Sequence, residues 1–133
     1  MAWRSVPMHD YTADIFDLWD KQWFLLTCGE FTSGQFNTMT VAWGSLGMMW
    51  NKPFAQVVVR PTRYTYEFME RYDSFTLCAF DRRHRKALQL LGTHSGRHGD
   101  KIARSGLTPI ASQRVAAPRG PEPAYHRGGV RGV

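Results

Sequence analysis

Three short apolar runs set the strongest limit on how this chain can fold. They are Trp23–Cys28, Phe54–Arg60 and Phe75–Phe80. Their lengths are typical of β-strands and far below the roughly 20 residues that a membrane-spanning helix needs. Gly29 and Pro61 follow the first two runs and end them. The sequence therefore predicts a mainly β domain, and we expect no membrane span.

The segment between the first two strands is predicted to add one more strand and a long loop. Ser33-Gly34 marks a hairpin turn within Glu30–Phe36, and Asn37–Ala42 follows as a β-prone segment. The glycines and the aromatic residues from Trp43 to Trp50 favour a loop.

Helices are predicted between and after the later strands. Thr62 or Thr65 is a candidate N-cap for a helix that ends near Tyr72. Asp81 is a candidate N-cap for a helix over 82–91, and Gly92 fits the position that stops it. A further short helix is predicted over 99–105.

Composition divides the chain into two parts. Residues 1–110 have the aliphatic and aromatic content of one globular domain. Residues 111–133 contain three Pro, four Gly and one aromatic residue, a composition typical of a disordered tail. This tail also carries four Arg against one Glu, which is half of the net charge of +6.

Charge and cysteine content favour an intracellular protein that does not bind nucleic acid. The basic residues of 1–110 lie beside acidic ones, so no basic stripe for a polynucleotide is expected. The distribution of basic residues therefore favours a phosphate-sized anion over a polynucleotide as ligand. The N-terminus has no apolar signal region, and Cys28 and Cys78 are predicted to be free thiols in a cytoplasmic protein.

The segment Val59–Tyr66 is the strongest candidate for chemistry. It places two arginines and two threonines where a strand ends and a helix begins. The free N–H groups of a helix start, together with arginine side chains, suit a phosphate monoester. An ordinary helix start with two solvated arginines is the alternative.

Two other segments carry weaker signals. Asn37–Ser45 alternates hydroxyl and apolar residues, as would suit a flavin ring, although a plain half-buried strand explains the pattern as well. Gly92–Lys101 combines glycines, a serine and basic residues that could close over an anion. His94 and His98 lie within it, but we expect no metal because no third ligand is near in sequence.

Four blocks in order resemble the flavin reductase-like (flavoredoxin-type) family of FMN-binding split-barrel proteins. They are Phe36–Pro53, Val59–Phe68, Arg85–Leu88, and Ser95–Lys101 followed by Gly106–Pro109. The resemblance covers 1–110. It implies a mainly β fold with helices, a split β-barrel that is incomplete at the C-terminus because 111–133 does not match the further strands of the family.

The resemblance also implies a function and a site. It implies a homodimer that binds FMN and passes hydride from NADH or NADPH to flavin, and then to a second flavin or an electron-acceptor protein. The implied cofactor-binding residues are Asn37, Thr38, Met39, Thr40, Trp43, Ser45, Arg60, Thr62, Arg63, Thr65, Ser95, Gly96 and Lys101. No acid or base is assigned, because the cofactor carries the chemistry.

Two alternatives stay open. In the first, the chain is an FMN-binding electron carrier without nicotinamide turnover and not a reductase; in the second, it is an inactive, truncated member of the family. Measuring NADH and NADPH oxidation distinguishes the electron carrier from a reductase. A thermal melt identifies the truncated product, because that product would be largely unfolded.

Overall fold

The computed structural model describes residues 6–110 and the backbone of residues 129–131. The strands are β1 Phe24–Glu30, β2 Gln35–Val41, β3 Gly44–Met49, β4 Lys52–Val57, β5 Phe75–Ala79 and β6 Gly129–Arg131. The helices are α1 Ile15–Asp17, α2 Tyr64–Arg71, α3 Arg85–Thr93 and α4 Lys101–Ser105. A π-helical turn, Leu18–Gln22, follows α1, and single 3-10 turns cover Met8–Asp10, Arg82–His84 and Gly96–His98.

The strands form two separate sheets. The larger has the order β2-β1-β5-β6, with β1 antiparallel to both neighbours and β6 parallel to β5. The smaller is the antiparallel pair β3-β4. The predicted combination of sheet and helix is confirmed, and the strands of the described residues do not close into a barrel.

The larger sheet is covered on both faces, which explains the continuous apolar run in β1. Phe24 and Leu26 point into one core cluster, with Trp19 and Leu77. Leu25 points the opposite way and packs against the buried leucines of α3. A strand that is buried on both faces needs no polar alternation.

The region predicted as a loop after β2 is instead a strand, β3. Leu46 packs against the core, and all six residues of β3 pair with β4. Gly44 and Gly47 weaken β-propensity, but they leave room for neighbouring rings. A Cβ at Gly44 would lie 2.6 Å from the Trp19 ring, and one at Gly47 would lie 2.8 Å from Phe54. The two-residue turn of this hairpin, Trp50-Asn51, has positive φ at both positions, as in a type I′ turn.

Two helix ends differ from the sequence prediction. The N-cap of α2 is Arg63, without a side-chain hydrogen bond, because the Thr65 hydroxyl bonds to Asn37 instead. Gly92 lies inside α3 and does not terminate it. A Cβ at this glycine would lie 3.1 Å from Thr40, so close packing against β2 explains the residue there.

Other expectations agree with the structure. Asp81 caps the turn that leads into α3, and Cys28 and Cys78 are both free thiols. Burial raises the pKa of the Cys28 thiol to about 11. The predicted disordered tail lies outside the described residues except for 129–131, whose backbone forms β6, so it stays a prediction. None of the helices among the described residues is long and apolar enough to cross a membrane.

Candidate functional site

A cavity of about 390 Å³ lies where three segments of the chain meet. The β1-β2 turn and the start of β2 form one wall, from Gly34 to Asn37. The first turns of α2 provide Tyr64 and Phe68, and residues 96–102 complete the lining. Each segment overlaps a different block of the sequence resemblance, so the fold brings together residues that are far apart in the chain.

A buried hydrogen bond fixes β2 to α2 at the back of this cavity. Asn37 Nδ2 donates to Thr65 Oγ1 at 2.8 Å, and both side chains are buried. Buried polar groups of this kind are stable only when they are paired. The bond therefore sets the position of the α2 N-terminus relative to the sheet.

Gly96 brings the third segment against the other two. A Cβ at this position would collide with Asn37 Oδ1 and would lie 3.0 Å from the Tyr64 ring. Only glycine allows the backbone to approach this closely without displacing a neighbour. Because the contact is this close, position 96 requires glycine. This glycine, which was predicted as a site residue, lies in the cavity wall.

Lys101 lines the cavity and is itself buried. Its residue exposure is 4%, and its Nζ donates to the carbonyl oxygens of Leu91 and His94, both at 3.0 Å. Burial, and then the charge of Arg63, lower the pKa of this amine to about 8. An ammonium has three N–H donors, so two carbonyl bonds leave one donor for another acceptor.

Arg97 ties the 95–101 segment to the start of α2. Its guanidinium makes an ion pair with Glu67 at 3.0 Å, donates to the Thr62 carbonyl at 3.3 Å, and lies over the Tyr64 ring with 5.0 Å to the centroid. The Arg97 backbone N–H also donates to Ser95 Oγ at 3.1 Å. Sequence reasoning missed this residue as an organiser of the site, although it was visible as a basic residue within a glycine-rich segment.

The predicted site residues fall into three groups. Asn37, Gly96 and Lys101 line the cavity. Four others do not line it but act on residues in or next to its wall: Thr65 bonds to Asn37, Arg63 lowers the pKa of Lys101, and Thr62 and Ser95 bond to Arg97. The remaining predicted residues, Thr38, Met39, Thr40, Trp43, Ser45 and Arg60, are not part of its lining.

The hydroxyl groups of β2 beyond Asn37 serve the sheet and its packing. Thr38 Oγ1 donates to the Leu26 carbonyl at 2.9 Å, and Thr40 Oγ1 donates to the Leu88 carbonyl at 2.5 Å. Met39 belongs to the core cluster between sheet and helices. A cofactor role for these three residues stays a prediction.

Trp43, Ser45 and Arg60 form a second group beside the β3-β4 hairpin. The Arg60 guanidinium lies over the exposed Trp43 ring, with 5.2 Å to the centroid, and Ser45 Oγ donates to Gln56 at 3.1 Å. The two arginines of the Val59–Tyr66 segment therefore have different surroundings. Arg63 acts on the cavity through Lys101, whereas Arg60 stacks on an indole ring.

No group of three metal-ligating side chains occurs in the part of the chain that the structure describes. His94 Nδ1 lies within hydrogen-bond distance of Thr93 Oγ1 and the Leu90 carbonyl at the end of α3. The charged residues among those that line the cavity are Asp100 and Lys101.

Comparison with known proteins gives a structural match. Neither a family model nor a curated protein sequence matches the chain. Among solved structures, flavoredoxin of Desulfovibrio vulgaris (Miyazaki F) superposes with a TM-score of 0.64 at 24% sequence identity. The match covers 87% of this chain and 60% of the flavoredoxin chain. The described structure therefore shares the fold of flavoredoxin while spanning about 60% of that protein's length.

Proposed function

We propose that this chain binds FMN and acts as a flavin reductase-like oxidoreductase that passes hydride from NADH or NADPH to flavin. The observation that carries the proposal is a buried, cavity-lining Lys101 with no ion-pair partner within residues 6–110. The shared fold with a protein named flavoredoxin and the four sequence blocks support the same assignment.

The donors around the cavity fit the phosphate monoester of FMN. Lys101 offers one N–H beyond its two carbonyl bonds, and Arg63 adds positive charge close enough to lower the pKa of this lysine. Charge-assisted hydrogen bonds to phosphate are among the strongest polar contacts that a protein makes. We assign Lys101 and Arg63 to the phosphate and Gly96 to the close approach of the backbone.

FMN, when bound, supplies the hydride chemistry itself. The residues of this chain bind and orient it and keep water away. Asn37 and Thr65 hold the wall of the cavity in place, and Arg97 holds the 95–101 segment against α2. We propose that Asn37 to Ser45 lie along the flavin ring, as the resemblance implies.

The proposal is tested by titrating the protein with FMN while following flavin fluorescence. Saturable binding is expected. Because Arg63 lies near Lys101 while Arg60 stacks on Trp43, Arg63→Ala should weaken binding more than Arg60→Ala. Arg82→Ala, which changes an exposed arginine of the turn before α3, is the control and should bind as the wild type does. Equal losses for all three variants would contradict the assigned phosphate site.

Turnover is a separate measurement. Oxidation of NADH and of NADPH with added FMN should proceed faster with the protein than without it. Saturable FMN binding without any such acceleration would assign the chain to the FMN-binding electron carriers instead.

We also propose a homodimer. The β3-β4 hairpin exposes apolar side chains at its tip, namely Met48, Met49 and Trp50, with exposures of 53%, 59% and 79%. Exposed apolar patches of this kind are typical of protein interfaces. Light scattering should give twice the chain mass, and Met49→Lys should shift the protein toward the monomer. A monomeric mass for the wild-type protein would contradict this proposal.

A further inference from the structure

Lys101 is a buried cation that lacks a counter-charge within residues 6–110. Its ammonium is held by the carbonyls of Leu91 and His94. These two carbonyls lie at the C-terminal end of α3, where the helix dipole stabilises a cation in part but supplies no full counter-charge. A buried charge is costly unless an opposite charge accompanies it. The cavity therefore favours a ligand that brings negative charge to Lys101.

The charged and titratable groups around Lys101 are mostly basic. Arg63 at the start of α2 faces it, and its charge disfavours the protonated amine. Tyr64 lines the same cavity, and His94 ends α3. Arg97 is paired with Glu67.

The one carboxylate that lines this cavity has a different role. Asp100 accepts a hydrogen bond from the Ala103 N–H through Oδ1 at 3.1 Å and caps α4. It makes no ion pair with Lys101. Among the described residues, no carboxylate of α2, α3 or α4 thus forms an ion pair with Nζ.

We propose that the anion subsite of this cavity is proton-linked: Lys101 takes up a proton when a phosphate monoester binds and releases the ligand when that proton is lost. This inference rests on the proposed function, in which the phosphate belongs to FMN. The geometry permits both states, because a neutral amine keeps two N–H donors for the two carbonyls, and the protonated amine gains a third for the phosphate.

The direction of the pH dependence follows from linkage. The free protein has a Lys101 pKa of about 8. A phosphate beside the amine favours the charged form and raises this pKa in the complex. Affinity for the phosphate ligand is therefore highest between about pH 6, where the phosphate monoester loses its second proton, and about pH 8, and it falls as pH rises further, by up to about tenfold per pH unit.

The test compares FMN with riboflavin, which lacks the phosphate, on the wild-type protein. Dissociation constants are measured from about one pH unit below to about one and a half units above the Lys101 pKa. The expected result is a loss of FMN affinity above about pH 8 with little change for riboflavin. Calorimetry of FMN binding near that pH, in buffers of different ionisation enthalpy, should show net proton uptake.

The outcomes separate this inference from the proposed function. FMN binding that does not change with pH, or that changes in parallel with riboflavin binding, would overturn the proton link and leave FMN binding intact. Absence of binding by both flavins at every pH would contradict the proposed function, and with it the inference.

A pair of lysine variants gives a second arm. Lys101→Met keeps a long, unbranched side chain and removes the charge, so the remaining FMN affinity should lose its pH dependence. Lys86→Met removes an exposed lysine from α3 and should keep the wild-type profile. Thermal melts identify any unfolded variant, and the wild-type profile decides the question in that case. A wild-type pH profile in folded Lys101→Met would assign the titration to another group and overturn the inference.

Discussion

At the scale of single residues, the site contains a hydrogen bond between two buried side chains, those of Asn37 and Thr65. Thr65 is fully buried, and its hydroxyl accepts from the Asn37 amide at 2.8 Å. Because the bond joins β2 to the first turn of α2, it supports both the fold and the cavity wall.

Thr65→Val tests this contact. The valine keeps the shape of the side chain but leaves a buried Asn37 N–H unpaired, which should lower the free energy of unfolding by about 1–3 kcal/mol. Thr65→Ser keeps the hydroxyl and is the matched control. Urea unfolding of the three proteins measures the difference, and greater stability of the valine variant than of the serine variant would contradict the argument.

Lys101 makes a second prediction, on the pH dependence of stability without ligand. Its pKa is about 8 in the folded protein and about 10.5 in the unfolded chain. The unfolded state binds more protons between these values, so the contribution of Lys101 to stability rises with pH above about 8. Cys28 acts in the opposite direction, because its pKa rises from 9.0 to about 11 on folding. The effect of Lys101 is therefore best measured between pH 8 and 9, below the range in which Cys28 opposes it.

In that window, the free energy of unfolding of the wild-type protein should increase with pH relative to that of Lys101→Met. Urea unfolding of both proteins at several pH values measures the difference. Parallel curves would show that Lys101 does not titrate there.

At the scale of elements, Arg97 joins the 95–101 segment to α2 and to Thr62, which lies shortly before that helix. Exposed ion pairs contribute at most about 1 kcal/mol to global stability. Arg97→Ala should therefore change the melting temperature little, but it should speed amide hydrogen exchange in 95–100 and weaken FMN binding. Arg83→Ala is the control, since Arg83 also makes an exposed ion pair, with Asp81 two residues away. Equal effects of both variants on FMN binding would contradict a positioning role for Arg97.

The same scale shows what the sequence could predict. Apolar runs and capping residues predict the positions of β1, β2, β5 and the three later helices. These elements can be predicted because the residues that they bury form local sequence patterns. β3 was missed because Gly44 and Gly47 resemble loop residues until the rings of Trp19 and Phe54 are placed beside them. The N-terminal capping of α2 was wrong because the Thr65 hydroxyl has a tertiary partner, which no local pattern reveals.

For the site, the resemblance named Asn37, Thr65, Gly96 and Lys101, and the structure brings these four together. The spacing of these four residues in the sequence could not predict that they lie together, because they belong to three separate segments. Arg97 and Tyr64 were not named, since their roles depend on contacts between α2 and the 95–101 segment.

At the scale of the whole molecule, the fold explains why the cavity forms where it does. β2 lies at one side of the larger sheet, beside β1, and α2 and α3 pack near it. The first turns of α2 and residues 96–102 meet at the start of β2, while α3 packs against Thr40 farther along that strand. The structural match with flavoredoxin covers 87% of the chain.

The central claim is that this cavity binds FMN, and the most direct measurement is FMN titration of the wild-type protein and of Gly96→Ala. A methyl group at position 96 collides with Asn37 Oδ1 and narrows the cavity. Gly47→Ala, which also meets a neighbouring ring but lies outside the cavity, is the control. The account predicts saturable binding by the wild-type and Gly47→Ala proteins and much weaker binding by Gly96→Ala. No binding by a folded wild-type protein, or equal binding by all three, would contradict it.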